Sequence, residues 1–253
     1  MEPWQLVAIM MSLALASYIQ TLTGFAFGLI VMGLLATLDV LPIESAALLC
    51  TLLGLFNNGM AMRGHWREIN PRLARRLLVT SLPMLPVGYF LAVWLGSERA
   101  PLLGMLLGIV ILIACLALLA QPGPRATTSP RWHFHTAGVL SGLMGGLFAA
   151  NGPPLVVVLY RQPMTLIAIR CTLFGVFIVT GIVRMGLSIA APGRIGDTLP
   201  QLLLVGLSGA LVVILFTELA RRFPPPLSDN RLRQVAYAIL LVSSVNLIIK
   251  GLI

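Results

Sequence analysis

Two interruptions of apolar sequence carry residues suited to holding an anion inside a membrane. They are Thr23-Gly24 and Asn151-Gly152-Pro153, and neither contains a charge. Asn and Thr are favourable N-cap residues and Pro is favoured in a first helical turn, so each break predicts the start of a helix. A helix N-terminus presents free N–H groups and a partial positive charge. The two breaks therefore predict two helix ends that attract anions.

Arg170 is the second feature with predicted chemistry. It lies seven residues after Pro163, which places it roughly 10 Å into the apolar core if a helix starts there. An arginine at that depth stays charged and binds oxyanions in a bidentate manner, so we predict that it is the main charge partner of a bound anion. The alternative is an arginine that reaches the surface or bonds backbone carbonyls. Arg161 and Arg184 are interpreted as anchors near the two membrane surfaces, and the alternative is that they draw anions toward the pore.

Four polar side chains lie inside the apolar blocks of the first and second halves. Thr51 and Thr172 are predicted either to donate hydroxyls to the anion or to bond their own helix carbonyls one turn back. Asn57 and Asn58 are unusual in an apolar span and are predicted to line the same cavity. With the two breaks and Arg170, these residues complete the predicted substrate site.

The composition excludes a soluble protein. The chain has 253 residues, of which 58% are apolar and 10% are charged, against about 45–50% and about 25% in a typical soluble domain. The net charge of +9 comes from arginines in short loops between apolar blocks, so it does not indicate nucleic-acid binding. Cys50, Cys115 and Cys171 lie in apolar stretches without metal-ligand spacing, and neither a metal nor a cofactor is predicted.

Eight apolar blocks approach the roughly 20 residues that cross a bilayer. Two shorter pieces follow the breaks, Phe25–Leu38 and Pro153–Tyr160, and reach only about 21 Å and about 12 Å as helices. The eight blocks are Trp4–Leu22, Ile43–Met62, Leu77–Leu95, Leu102–Ala120, Phe134–Ala150, Met164–Met185, Leu199–Glu218 and Val235–Ile253.

The arginines assign sides to the loops by the positive-inside rule. Placing all arginine-rich loops in the cytoplasm requires each broken segment to return to the side from which it came, so each break is predicted to be the tip of a re-entrant hairpin. Both termini are then outside. The cytoplasmic arginines are Arg63, Arg67, Arg72, Arg75, Arg76, Arg125, Arg131, Arg221, Arg222, Arg231 and Arg233, and the opposite loops hold Asp39, Glu44, Glu98, Arg99, Arg194 and Asp197.

An internal repeat is indicated by a short sequence match. Residues Cys50–Phe56 recur as Cys171–Phe177, 121 positions later, with five of seven residues identical. Each half reads as a hairpin followed by three spans, so the second half is inverted relative to the first. We predict an all-α polytopic membrane protein with a first inverted repeat at 1–120, a cytoplasmic linker at 121–133 and a second inverted repeat at 134–253. Inverted repeats with broken helices are typical of secondary transporters with a substrate site at the midplane.

The broken segments resemble the TauE/SafE sulfite exporter family. The resemblance rests on Thr21–Gly28 in the first half and on Gly142–Gly146 and Asn151–Leu155 in the second, where Gly-Pro-Pro is the most specific piece. The first half carries Phe25-Ala26-Phe27 where the family commonly has glycines. The resemblance implies transport of sulfite, organosulfonates or related anions across the bacterial inner membrane, usually outward.

Several alternatives stay open at the level of the sequence. An anion channel on the same scaffold and an uptake permease for a non-sulfur organic anion use the same arginines and helix ends. An intramembrane enzyme is disfavoured because the spans offer neither a histidine nor an acid at depth. The predicted partners are a small anionic substrate and the lipid bilayer, without nucleic acid. A homodimer is one of the open oligomeric states.

Overall fold

The computed structural model describes residues 2–120, 123, 127–190, 199–223 and 229–252, and all regular structure in these ranges is helical. One short 3-10 turn, Trp66–Glu68, precedes the fourth helix. The α-helices are α1 (Pro3–Thr23), α2 (Phe27–Thr37), α3 (Ile43–Ala61), α4 (Pro71–Glu98), α5 (Ala100–Leu119), α6 (Arg131–Phe148), α7 (Gly152–Leu159), α8 (Leu166–Ala190), α9 (Leu199–Arg222) and α10 (Asp229–Leu252).

Five of these helices are long and apolar enough to cross a membrane over their described residues. They are α1, α4, α5, α8 and the part of α9 from Leu204 to Arg222. The outward face of α9 carries leucines spaced by three or four residues, Leu204, Leu207, Leu211 and Leu215, each more than 60% exposed. Such a face suits lipid rather than water. The structure thus confirms an all-α, multi-pass membrane protein.

Glycines on α6 allow it to approach α4 closely. Gly138, Gly142 and Gly146 are spaced by four residues, and a side chain on any of them would meet the backbone of α4. This spacing of small residues brings membrane helices together, and α4 with α6 is the most extensive helix pair of the described chain. The glycines that carried the family resemblance in the second half therefore include two, Gly142 and Gly146, that serve helix packing.

One end of the bundle gathers the arginine-bearing loops. Arg221 Nη1 and Nη2 donate to the carbonyls of Met60 and Arg63, at 3.2 and 3.1 Å. Gln162, after α7, is hydrogen-bonded to Ser129, just before α6. The loops after α3, α7 and α9 and the segment before α6 thus lie at the same end, as the charge pattern predicts.

The opposite end gathers the acidic loops. Lys250 Nζ lies 3.3 Å from Asp39 Oδ2, and the Glu44 side chain packs against Gly96. The predicted grouping of loops is confirmed for these residues, while the assignment of one end to the cytoplasm stays a prediction. Arg125, Arg194 and Asp197 lie outside the described residues, as do the side chains of Arg231 and Arg233.

The predicted segment boundaries are close for the short pieces and differ by five or six residues for three long helices. Helix α10 begins at Asp229 instead of residue 235. Helices α2 and α7 begin and end within two residues of the predicted arms. Helix α4 begins at Pro71 instead of residue 77, because its arginines extend the first turns beyond the apolar block. Helix α8 continues to Ala190 instead of residue 185, and this difference moves Arg184 away from the helix end.

Candidate functional site

The two breaks meet in the centre of the helical bundle. Gly28, in the first turn of α2, faces the turn between α6 and α7 so closely that a Cβ there would lie 2.5 Å from the Ala149 carbonyl oxygen. A Cβ on Gly152, at the start of α7, would make ordinary contact with Phe25 at 3.6 Å. The ends of four helices thus converge on one point.

Left-handed residues close both helices that lead into the breaks. Gly24 (φ 79°) follows α1 and its N–H donates to the Gln20 carbonyl at 2.7 Å, and Ala149 (φ 54°) follows α6 and donates to the Gly145 carbonyl at 3.0 Å. A left-handed residue at this position is a common helix ending. Ala26, which precedes α2, also has a positive φ of 91°. The strain of two left-handed alanines is held by the packing of one break against the other.

A small cavity lies at the convergence. Its volume is about 50 Å³, well above the roughly 10–15 Å³ that one water needs. The backbone of both breaks lines this cavity, together with side chains from the helices around them, chiefly α3 and α8. The polar and backbone-contributing lining residues include Gln20, Ala26, Gly28, Thr51, Asn58, Gly145, Ala149, Asn151, Gly152, Thr180 and Arg184.

Arg184 supplies the positive charge of this cavity. Its side chain is 5% exposed. Nε donates to the Gly145 carbonyl at 2.9 Å and, more weakly, to the Gly146 carbonyl, which also accepts from Nη2 at 3.3 Å. Nη1 donates to the Ala47 carbonyl at 3.2 Å and to Thr51 Oγ1 at 3.0 Å. Each of these hydrogen-bond partners is a neutral oxygen, and the carbonyls of α6 lie at the negative end of that helix.

The interpretation of Arg184 as a surface anchor is therefore wrong. Helix α8 runs six residues past Arg184, which places the residue about 9 Å from the helix end. The signal was present in the sequence: Phe177, Thr180, Gly181 and Arg184 follow the spacing of one helix face, and all four line the cavity.

Gln20 connects the first break to Asn58. Gln20 Oε1 accepts from the Phe27 N–H at 2.7 Å, and Gln20 Nε2 donates to Asn58 Oδ1 at 2.6 Å. These bonds fix the orientation of both amides, and both residues line the cavity. Gln20 was not predicted, because a glutamine at the end of an apolar helix gives no pattern by itself.

Asn151 holds the second break through a different contact from the one predicted. Its side chain does not cap α7, and Asn151 Nδ2 donates instead to Thr180 Oγ1 at 2.7 Å. The Asn151 carbonyl accepts from Ser141 Oγ at 2.9 Å. Since Pro153 and Pro154 lack N–H groups, Gly152 supplies the N–H of the first turn of α7.

The predicted cap at Thr23 is also wrong. Thr23 is the last residue of α1, and its hydroxyl bonds the carbonyls of Ile19 and Phe25, at 2.8 and 3.0 Å. The residue at the N-cap of α2 is Ala26. The first break is longer than the sequence suggested, because the chain needs Gly24 and Ala26 in left-handed conformations before α2 begins.

The cavity brings together four of the ten predicted site residues, Thr51, Asn58, Asn151 and Gly152. The other six are not among its lining residues. Arg170 packs against Gly24, and Pro153 is buried in the first turn of α7. Thr172 Oγ1 accepts from the Asn70 N–H at 3.0 Å, and Asn57 Nδ2 donates to Thr217 Oγ1 at 2.7 Å, both outside the cavity lining. No cluster of His, Cys, Asp and Glu within the described ranges has a metal-binding arrangement.

The comparison with known proteins agrees with this architecture. The family described as sulfite exporter TauE/SafE matches residues 9–247. The chain belongs to the TauE/SafE family. Membership places it among membrane transporters, and both breaks and the cavity between them lie within the matched region.

Two curated relatives extend the comparison. A probable sulfite/organosulfonate exporter TauE from Cupriavidus necator is 38% identical over 229 residues, which cover 90% of this chain and 88% of the relative. A probable inner membrane transporter protein TsaS from Comamonas testosteroni is 29% identical over 174 residues, 67% of this chain and 70% of the relative. No solved structure matched the chain.

Proposed function

We propose that this transporter exports a small sulfur-containing anion, sulfite or an organosulfonate, across the bacterial inner membrane. The TauE/SafE membership supports the sulfur-containing anion, the relative from Cupriavidus necator supports the outward direction, and the relative from Comamonas testosteroni supports the inner membrane. The observation that carries the proposal is the buried Arg184 at the junction of two broken helices.

Arg184 has the capacity to bind an anion in addition to its present contacts. A guanidinium carries five N–H groups. The contacts of Arg184 use the Nε hydrogen, both Nη1 hydrogens and one Nη2 hydrogen, so one Nη2 hydrogen is left for a ligand in the cavity. A charge-assisted hydrogen bond from a buried arginine is among the stronger polar interactions in proteins.

Neutral donors complete the proposed anion site. The Asn58 Nδ2 group is directed by Gln20, as described above. The N–H groups of Gly28 and Leu29 lie in the first turn of α2, and both residues line the cavity. The N–H groups of a first helical turn lack helical acceptors and attract oxyanions. The proposed ligand is therefore surrounded by donors from both halves of the chain.

The remaining predicted substrate-binding residues lie outside the cavity lining, and the proposal requires no direct contact between them and the anion. Arg170, Thr23 and Gly24 lie together at the first break, since Arg170 packs on Gly24 and the Tyr160 hydroxyl donates to the Thr23 carbonyl. Their contact with substrate stays a prediction, and so does that of Pro153, Thr172 and Asn57. We assign the primary charge contact to Arg184 because it lines the cavity and Arg170 does not.

The proposal includes two inverted repeats, each with a re-entrant hairpin. If each helix of α1–α5 is matched in order with a helix of α6–α10, the same helix pairs pack together in both halves. The pair α4 with α6 then corresponds to α9 with α1, and the pair α3 with α9 corresponds to α8 with α4. The same matching relates α1 with α2 to α6 with α7, and α2 with α10 to α7 with α5. This recurrence supports the repeat independently of the match between residues 50–56 and 171–177.

The helix directions support the hairpins. Leu13 contacts the position of Gly209, and the Tyr18 hydroxyl donates to the Phe223 carbonyl at 3.3 Å, so α1 runs parallel to α9 toward the arginine-rich end. Helix α2 then returns to the acidic end, where Lys250 Nζ donates to the Thr37 carbonyl at 2.9 Å. In the second half, α7 returns to the end at which α6 began, through the bonds between Gln162 and Ser129.

A carrier is favoured over an anion channel by the size and burial of the site. The cavity has a volume of about 50 Å³, and Arg184 within it is 5% exposed. A conducting pore needs a continuous aqueous path, whereas a carrier encloses its ligand between movable halves. Saturation and counterflow in a flux assay are expected for the carrier.

The test compares Arg184 with Arg170 in purified, liposome-reconstituted protein. Arg184→Gln should abolish sulfite flux, and Arg184→Lys should retain some flux with about tenfold to hundredfold weaker affinity, because it keeps the charge and loses the planar donors. Arg170→Gln, on the same helix, should lower affinity much less. Equal losses from Arg184→Gln and Arg170→Gln would contradict the assignment of the primary charge contact.

A second variant separates binding from folding. Arg184 also holds the end of α6, so Arg184→Gln is first checked for a single species in size-exclusion chromatography. Asn58→Asp leaves every Arg184 contact in place and puts a carboxylate where the proposal needs a donor. A folded Asn58→Asp protein with wild-type sulfite affinity would show that the anion binds elsewhere.

A further inference from the structure

We propose a second oxyanion site, in a cleft at the arginine-rich end of the bundle. The cleft has a volume of about 520 Å³, within the range of small-molecule sites. Three arginines from two separate helices line it, and no Asp or Glu is among its described lining residues. The residues that carry the proposal are Arg72, Arg76, Arg131, Asn70, Ser129 and Gln162.

The charges in this cleft are arranged without internal compensation. Arg72 lies in the first turn of α4 and Arg131 begins α6, and neither first turn contains an acid. Cations are disfavoured near helix N-termini, so this placement costs free energy in the absence of an anion. The ion pairs found in the described parts of the chain involve Arg221, Arg222 and Lys250 instead.

The walls of the cleft are held in place by buried contacts. Gln162 is 1% exposed; its Oε1 accepts from the Ser129 N–H at 3.0 Å and its Nε2 donates to Ser129 Oγ at 2.9 Å. The Arg76 guanidinium lies 5.8 Å from the centre of the buried Phe134 ring. The cleft is therefore preorganised, which lowers the cost of binding an ion.

The matching ligand is a tetrahedral oxyanion of the phosphate or sulfonate type. Guanidinium groups bind such oxygens in pairs. Trp66 and Trp132 are exposed near this end, 52% and 61%, and exposed tryptophans mark the depth of lipid headgroups. Two sources offer this chemistry: the phosphate of an anionic phospholipid and a soluble oxyanion. The proposal does not depend on the central cavity.

The test measures thermal unfolding of the full, lipid-depleted protein in detergent. The probes are short-chain phosphatidylglycerol, short-chain phosphatidylcholine and inorganic phosphate. A ligand that binds the folded state raises the apparent Tm by mass action. Arg76→Gln and Arg131→Gln should each raise the half-maximal phosphatidylglycerol or phosphate concentration by about threefold to tenfold. The matched control is Arg75→Gln, which removes the same charge from an exposed neighbour outside the cleft.

Each result has a defined meaning. A shift with phosphatidylglycerol alone supports a lipid headgroup, and a shift with inorganic phosphate as well supports a soluble oxyanion. No shift of the wild-type protein with either probe overturns the site. Equal weakening by Arg75→Gln and Arg76→Gln would show only diffuse surface charge. An equal response to phosphatidylcholine in all proteins would show a general effect of lipid and would also overturn the site. Loss of the response in Arg184→Gln would place the binding in the central cavity and also overturn the proposal.

Discussion

The two breaks share a scaffold but differ in which helix end receives a side-chain cap. In the first break, Gln20 from α1 accepts from the N–H of Phe27 at the start of α2. In the second, Arg184 from α8 donates to the carbonyls of Gly145 and Gly146 at the end of α6. A neutral amide thus satisfies a helix N-terminus in one half, and a cation satisfies a helix C-terminus in the other.

This difference gives the proposed repeat a charge on one side only. Both halves supply backbone donors, but the guanidinium comes from the second half alone. The first half contributes the uncharged side chains of Gln20 and Asn58, which are hydrogen-bonded to each other and line the cavity. The buried positive charge is stabilised by helix carbonyls, and no carboxylate is among the described hydrogen-bond partners of Arg184.

The largest expected effect comes from separating the two breaks at Gly28. Gly28→Ala places a Cβ 2.5 Å from the Ala149 carbonyl oxygen. Because this oxygen belongs to the backbone, a rotamer change cannot relieve the clash, and the two breaks would have to move apart. We expect loss of sulfite flux in liposomes. Gly152→Ala is the matched control, because its Cβ would meet Phe25 and Phe177 at ordinary distances of 3.6 and 3.7 Å. Wild-type flux in Gly28→Ala would show that contact between the breaks is dispensable.

Much of the fold was predictable because length and apolarity determine membrane helices directly. The short arms after the breaks were placed within two residues, and the loops with opposite charge character do lie at opposite ends in the described structure. The start of α4 was wrong because its arginines extend the helix beyond the apolar block. The end of α8 was wrong because the helix continues through the uncharged residues 186–190, which give no boundary signal.

The site was less predictable, because it depends on which helix faces meet. Arg170 and Arg184 are on one helix, and depth counted from an assumed boundary selected Arg170. The face containing Thr180 and Arg184 turns toward the breaks, whereas Arg170 packs at Gly24. Gln20 and Asn151 gain importance through partners distant in sequence, Asn58 and Thr180, and no local pattern encodes those pairs.

A smaller effect is expected when the neutral cap of the first break is removed. Gln20→Met keeps the volume but leaves the Phe27 N–H and Asn58 Oδ1 without their present partner. A buried polar group left unsatisfied costs about 1–3 kcal/mol, so the apparent Tm should fall and the KM for sulfite should rise severalfold. Gln5→Met, near the other end of α1, is the control. An unchanged KM together with a lowered Tm would mean that Gln20 supports the fold without orienting Asn58 for substrate.

The smallest effect separates Thr51 from Thr172, which occupy matching positions of the proposed repeat. Both hydroxyls donate to the carbonyl four residues earlier at 2.7 Å, so their local geometry is the same. They differ in the donor that they accept from: Arg184 Nη1 at 3.0 Å for Thr51 and the Asn70 N–H at 3.0 Å for Thr172.

Valine keeps the shape of threonine without the hydroxyl, and each substitution should cost about 1 kcal/mol of stability. Only Thr51→Val loosens the guanidinium in the cavity, so it alone should raise the KM for sulfite, by about threefold to tenfold. Equal KM changes in the two variants, measured by flux in liposomes, would show that the two halves contribute alike and that the charge asymmetry between the breaks does not govern binding.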